Sequence, residues 1–155
     1  MKSASQYLLI IATSLCLITS ATASEKGGMQ LVKSTHDAKT TMEKLVKIVK
    51  AKGFKVFAQV DHTAGGKSVN LDLRPTQLLI FGNPKGGTVL MQCNQNVGID
   101  LPLKFLVTTD KSGQTWISYN DGDFIADRHK LGDCGKKVIS KVNKGLKGMS
   151  SAAAK

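Results

Sequence analysis

Aromatic side chains are scarce in this chain of 155 residues: one Trp, two Tyr and five Phe make up 5% of it. So few flat rings leave little with which to stack bases, and nucleic acid is not an expected partner in spite of the basic balance. Acids are short too, with 11 Asp and Glu against 22 Lys and Arg, a formal charge of +11. That surplus suits anionic surfaces such as phospholipid, lipopolysaccharide or acidic glycan, and it equally describes a well-solvated surface, since the lysines are spread along the chain. There is no Cys-x-x-Cys, no His pair at chelating spacing and no Gly-x-Ser-x-Gly elbow. Tuned thiolate chemistry, a helical metal site and a hydrolase nucleophile of that type therefore find no local support.

Only one apolar run is long, "YLLIIATSLCLI" near the start, preceded by Lys2 and followed by "TSATA". A short positive region, an apolar stretch brief for a bilayer and an Ala-x-Ala site at Ala21 and Ala23 form the pattern of a secretory signal peptide over residues 1–23. Cleavage near Ala23 predicts an exported chain, periplasmic or secreted, starting at Ser24 and without a membrane-spanning segment. Leu15 before Cys16 speaks against lipid attachment there. Loss of Cys16 leaves Cys93 and Cys134, and an even pair in an oxidising compartment reads as a disulfide.

Periodicity organises the rest. "GMQLVKST" alternates as a strand, and Ala38, Met42, Leu45 and Val49 then recur at helical spacing, with Asp37 as the cap and Gly53 just beyond the end. "FKVFAQVD" places Phe54, Val56, Ala58 and Val60 on one strand face. "HTAGGKSVNLDLRP" reads as a loop or weak helix walling a cleft, and "TQLLIF" as a strand covered on both faces. "TVLMQCNQNVG" suggests a short helix. A hairpin follows, turning at Asp110 to Gly113 with Leu103, Phe105 and Val107 on one face. Asp121 or Asp123 caps another short helix; Asn120, Asp121 and Asp123 resemble a calcium loop but lack its later Gly and closing Glu. The chain ends with a basic helix showing Val138, Val142, Leu146 and Met149 on one side, then a frayed Ala/Ser tail. Strands mixed with helices around a hairpin predict an α+β domain over 24–131, with the basic helix and tail over 132–155.

Between "TQLLIF" and the next helix lies "GNPKGGT". A Walker loop would need Lys where Thr88 stands, so nucleotide hydrolysis is excluded, although amides near Thr88 remain a place for some other anion. The stretch reads first as a corner: Gly82 for an unusual backbone angle, Asn83 extended before Pro84, and Pro84 presetting the turn.

"LLIFGNP", "GIDLPLKFLV", "WISYND" and "ADRHKL" in that order, after a helix ending in "KGF" and the pair Asp61-His62, resemble the domain-of-unknown-function family 302 from about Val32 to Leu131. The resemblance implies an antiparallel sheet with helices packed on it, similar to the TATA-binding-protein-like arrangement, often a homodimer, and no established reaction. It carries over to Asp61, His62, Phe81, Gly82, Asn83, Pro84, Asp100, Leu101, Pro102, Leu103, Tyr119, Asn120 and His129, none of them assigned to catalysis; all of these except Leu101 and Leu103 are ligand-cleft candidates. Cys93, Cys134 and the basic stretch after Leu131 depart from the family pattern.

Three functions follow as expectations. The first is a non-enzymatic small-ligand-binding or interaction module with a cleft between "FGNP", "DLP" and "YND", where loops are positioned by a scaffold. The second is a metal- or haem-dependent enzyme or redox protein in which His62, beside Asp61, meets His129, beside Asp127, at one end of the sheet; otherwise no cofactor is expected. The third is binding to an anionic lipid or glycan surface through Lys136 to Lys147, against which stands packing of that helix on the sheet, pinned by Cys134 to Cys93.

Overall fold

The computed structural model describes residues 28–155, so the leader expected over residues 1–23 lies outside the described residues. Strands β1 (Met29–Lys33), β2 (Lys55–Asp61), β3 (Thr76–Gly82), β4 (Leu103–Thr109) and β5 (Thr115–Asn120) form one antiparallel sheet in the order β1-β5-β4-β3-β2. Helices α1 (Ala38–Ala51), α2 (His62–Ser68), α3 (Pro84–Cys93), α4 (Gly122–Arg128) and α5 (Lys136–Ala153) connect and cover it, with a 3-10 helix at Gln95–Ile99. The α+β class expected from the sequence holds.

Alternation puts Leu79, Phe81, Phe105, Val107 and Ile117 on one face, all fully buried. Their rings form the centre of the core: Phe81 stacks on Phe105 with centroids 4.9 Å apart, and Phe105 meets Tyr119 edge-on at 5.4 Å. Each such side chain contributes about 2 kcal/mol by burial, and each ring pair roughly 1 kcal/mol more. Helix α1 lies over this face with Met42, Leu45 and Val49 inward, begun as expected by Asp37, whose carboxylate accepts from Thr40 N at 2.7 Å.

Four expectations change. Strand β3 is interior, but Leu78 and Ile80 on its other face are only half-buried, so it is fully covered on one side alone. A bulge between Val56 and Ala58 places Val56 opposite Phe81 but Ala58 and Val60 opposite Ile80 and Leu78, which divides the expected single face and leaves Phe57 47% exposed. Helix α5 buries Ile139, Leu146, Met149, Ser150 and Ala153, leaving Val138 and Val142 half-buried at its margin. Nor is its end frayed: Ala153 is fully buried, and the carbonyl of Ala154 accepts from Thr35 N at 2.8 Å and Thr35 Oγ1 at 3.0 Å. Residues 132–155 thus belong to the same core as the rest, and the boundary at 131 does not separate structural units.

The β4–β5 hairpin turns on Asp110. Its Oδ1 accepts from Ser112 Oγ at 2.6 Å, Ser112 N at 2.9 Å and Gln114 N at 3.0 Å, and its Oδ2 from Trp116 Nε1 at 2.8 Å. The Ser112 hydroxyl and then the Trp116 indole hold the carboxyl down at about 2, from an ordinary value of 3.8. A depressed folded value means the contribution is present above the ordinary value and disappears as pH falls toward about 2. Fluorescence of Trp116, the single tryptophan, should therefore report a hairpin that loosens over that interval in the parent protein. Asp110→Asn should weaken the hairpin already at neutral pH and flatten the acid dependence; an unchanged acid profile in the variant would refute the assignment.

Candidate functional site

Where β3 ends, the chain turns directly into α3. Gly82 closes β3; Asn83, extended at φ −128°, caps α3 by accepting from Lys85 N at 3.0 Å; and Pro84 takes the first helical position, where its missing N–H costs nothing. "PKGGT" is therefore the first turn of α3 and not a free corner. Gly86 N and Gly87 N both donate to the Asn83 carbonyl at 3.1 Å, which engages amides that an anion would have needed. Gly82 does not take an unusual backbone angle either. Its lack of a side chain serves close approach, since a Cβ there would lie 3.4 Å from both Phe57 Cε2 and Pro102 Cβ.

The result is an apolar cavity of about 590 Å³ between α3, α5, the bulge of β2 and the segment before β4. Of the cleft candidates, Gly82, Asn83, Pro84 and Pro102 line it, together with Leu101 and Leu103, which the resemblance matched without marking them for the cleft. Phe57, Lys85, Val138, Lys141 and Val142 are among the other lining residues, and sequence reasoning missed them. Val138 and Val142 carried a signal, an i, i+4 pair, which pointed inward and was assigned to the core. Phe57 carried none, because a bulge cannot be read from alternation. Glycines let the walls close: Gly86 faces Val138 Cγ1 at 3.7 Å and Gly87 faces Leu101 Cδ1 at 3.5 Å.

Polar contacts fix the segment before β4. Lys104 Nζ donates to the carbonyls of Asp100 at 2.9 Å and Pro102 at 2.8 Å; burial pushes its ammonium below the usual range, opposed by the charge of Asp100. The Leu101–Pro102 peptide is cis. Asp100 Oδ2 pairs with His129 Nε2 at 2.5 Å, and Asp100 Oδ1 with Arg128 Nη1 at 3.4 Å, so the end of α4 holds the loop. The disulfide between Cys93 and Cys134 is present, joining the end of α3 to the residue before the Gly135 cap of α5.

The remaining candidates lie elsewhere. Phe81 and Tyr119 are core residues; burial pushes the Tyr119 phenol up, opposed by the neighbouring Ser150 hydroxyl. Asn120 is exposed at the end of β5 and does not line the cavity, so "YND" is no wall of it. Asp61 caps α2 by accepting from Ala64 N at 2.9 Å, and His62 is exposed beside it. Both follow the far end of β2, whereas His129 sits at the end where β3 finishes and β4 begins, a strand's length of roughly 20 Å away. The expected meeting of His62 and His129 does not occur, and α2 forms no wall of the cavity. Among the described residues no three His, Cys, Asp or Glu converge as a metal-binding group. Nor do Asn120, Asp121 and Asp123 form a calcium loop: Asp121 caps α4 and accepts from Gln30 Nε2, while Asp123 accepts from Asn143 Nδ2.

A single antiparallel sheet covered by helices on one face, with an apolar cavity at a strand end, defines the class of protein: a one-sheet α+β domain. The chain belongs to the family described as Domain of unknown function DUF302, whose profile matches residues 30–149. That match runs through most of α5, so the basic stretch after Leu131 is part of the family's domain and not a departure from it. The crystal structure of an uncharacterized conserved DUF302 protein from Bacillus stearothermophilus has the same fold, with a TM-score of 0.72 at 23% identity, over 81% of this chain and 97% of that one. Among curated proteins, Fluoride-specific ion channel FluC 1 of Brucella suis biovar 1 (strain 1330) is 46% identical over 105 residues, 68% of this chain and 41% of that protein. Fluoride-specific ion channel FluC 2 of Brucella melitensis biotype 1 is likewise 46% identical over 105 residues, 39% of its length. The chain thus matches about two fifths of the length of these relatives.

Two variants test the frame of the site. Replacing both Cys93 and Cys134 by Ser opens a loop whose ends are 41 residues apart, and should lower stability to urea by about 4 kcal/mol. Asp100→Ala strands the His129 ring and frees the loop, and should cost about 2 kcal/mol in the same measurement. A loss below about 0.5 kcal/mol would show that the pair does not hold the loop.

Proposed function

We propose that this chain is an exported, non-enzymatic module that binds a small apolar ligand in the cavity beside Gly82. The observation carrying this reading is that Gly82, Asn83 and Pro84 of "FGNP" and Leu101 and Pro102 of "DLP" line a single apolar cavity of about 590 Å³, within the range of small-molecule sites. Three lining residues, Gly82, Gly86 and Gly87, leave space that larger side chains would fill. The reading of a metal- or haem-dependent enzyme loses its geometric basis with the separation of the two histidines. Surface binding through α5 loses its apolar face, since Leu146 and Met149 are buried. The channel activity in the names of the curated relatives is not carried over, because no helix among the described residues is long and apolar enough to cross a membrane. We place the related stretch in the same role there, a binding module joined to a longer protein.

The test uses the neutral dye N-phenyl-1-naphthylamine, which fluoresces in apolar surroundings. The parent protein should bind it, and Val142→Phe, which adds a ring to the cavity wall, should weaken that binding at least about tenfold with the fold intact by circular dichroism. No enhancement with the parent, or an unaltered one with the variant, would remove the cavity from consideration. The mass of protein recovered from its own cell tests the rest: a chain starting at Ser24 for export, and twice that mass under native conditions for the homodimer.

A further inference from the structure

We infer that the ligand of this cavity is a single-chain amphiphile with an anionic head. The inference rests on the binding-module reading and adds the chemical class. The wall is built largely from aliphatic and aromatic side chains such as Leu90, Leu101, Val142 and Phe57, and it contains no Asp or Glu. An ionised group placed inside such a wall would lose its hydration without compensation, so the charged part of any ligand has to remain at the mouth. What waits there is of one sign. Lys85 from α3 and Lys141 from α5 both line the cavity and are exposed, and Lys55 holds its ammonium 5.3 Å from the ring of Phe57, itself a lining residue. None of these three lysines takes part in an ion pair among the described residues.

Two separate helices, α3 and α5, thus each bring a cation to the rim of a cavity with no acid in its wall. A purely hydrophilic anion such as free phosphate would use the lysines and leave the apolar wall empty; a neutral hydrocarbon would fill the wall and leave the lysines unused. An aliphatic chain ending in a carboxylate or a phosphate satisfies both. The long lysine stems can follow heads of different size while their methylenes cover the chain's first carbons.

Displacement of N-phenyl-1-naphthylamine separates this inference from the reading beneath it. Laurate, dodecyltrimethylammonium and 1-dodecanol share a chain and differ in head charge, and are used below the concentrations at which they form micelles. Laurate should displace the dye at about tenfold lower concentration than dodecyltrimethylammonium. In the double variant Lys85→Glu, Lys141→Glu the order of those two should reverse while 1-dodecanol is unaffected. Both lysines are exposed, so the variant should fold as the parent does. Dye binding with no preference for laurate, or a preference that survives charge reversal, would overturn the anionic head and leave the module reading in place; failure of the dye to bind would remove both. Lauroyl lysophosphatidylglycerol, tested beside laurate, tells the source of the anion: stronger displacement by it assigns a phospholipid-derived head, and stronger displacement by laurate a free fatty acid.

Discussion

The stack of Phe81 on Phe105, met edge-on by Tyr119, ties together the inner faces of β3, β4 and β5, and every other element takes its place from it. With eight aromatic residues in the whole chain, three are spent on this one contact and a fourth, Phe54, meets Phe81 edge-on at 5.6 Å. Burial of those rings needs a helical cover, and α1 and α5 supply it side by side. The residues at the strand ends follow: once Phe81 is held in the core, Gly82 and Asn83 must leave the sheet at one place.

From that exit the cavity arises as a mismatch. Helix α5 packs by Ile139 and Leu146, which leaves Val138 and Val142 facing a space that the sheet end, shortened at Gly82 and thinned by Gly86 and Gly87, does not fill. The disulfide then fixes the distance between α3 and the start of α5, and the grip of His129 and Arg128 on Asp100 fixes the opposite wall. Two covalent or charged ties on either side of an apolar space hold open a volume that hydrophobic collapse would otherwise diminish. Gly122 serves the same framework elsewhere: a Cβ there would come 2.8 Å from Asn143 Oδ1, so α4 and α5 approach closely because nothing stands between them.

Charge adds direction to this frame. The basic surplus of the chain is mostly a solvated surface, as the exposure of Lys39, Lys47 and Lys50 on α1 and of the α5 lysines shows. At the mouth of the cavity it acquires a geometry, because lysines from separate elements border an acid-free wall. Net charge alone could not distinguish these two situations.

Much of the fold was legible in order along the chain. Helical spacing gave α1 with its Asp37 cap, the turn residues gave the β4–β5 hairpin, and the count of two cysteines after the expected leader gave the disulfide, because each of these depends on local periodicity, local turn chemistry or simple pairing. The motif residues at "FGNP" and "DLP" were marked as well, and their meeting at one cavity is what their positions at strand ends favoured. What the sequence could not decide was decided by tertiary contact: that a bulge at Phe57 turns Ala58 and Val60 to the opposite face, that α5 rotates to bury Ile139 and leave Val138 for the cavity, that the Ala-rich end docks against Thr35, and that His62 and His129 lie a strand apart. Periodicity specifies which residues share a face; only packing against the rest of the molecule specifies what that face meets.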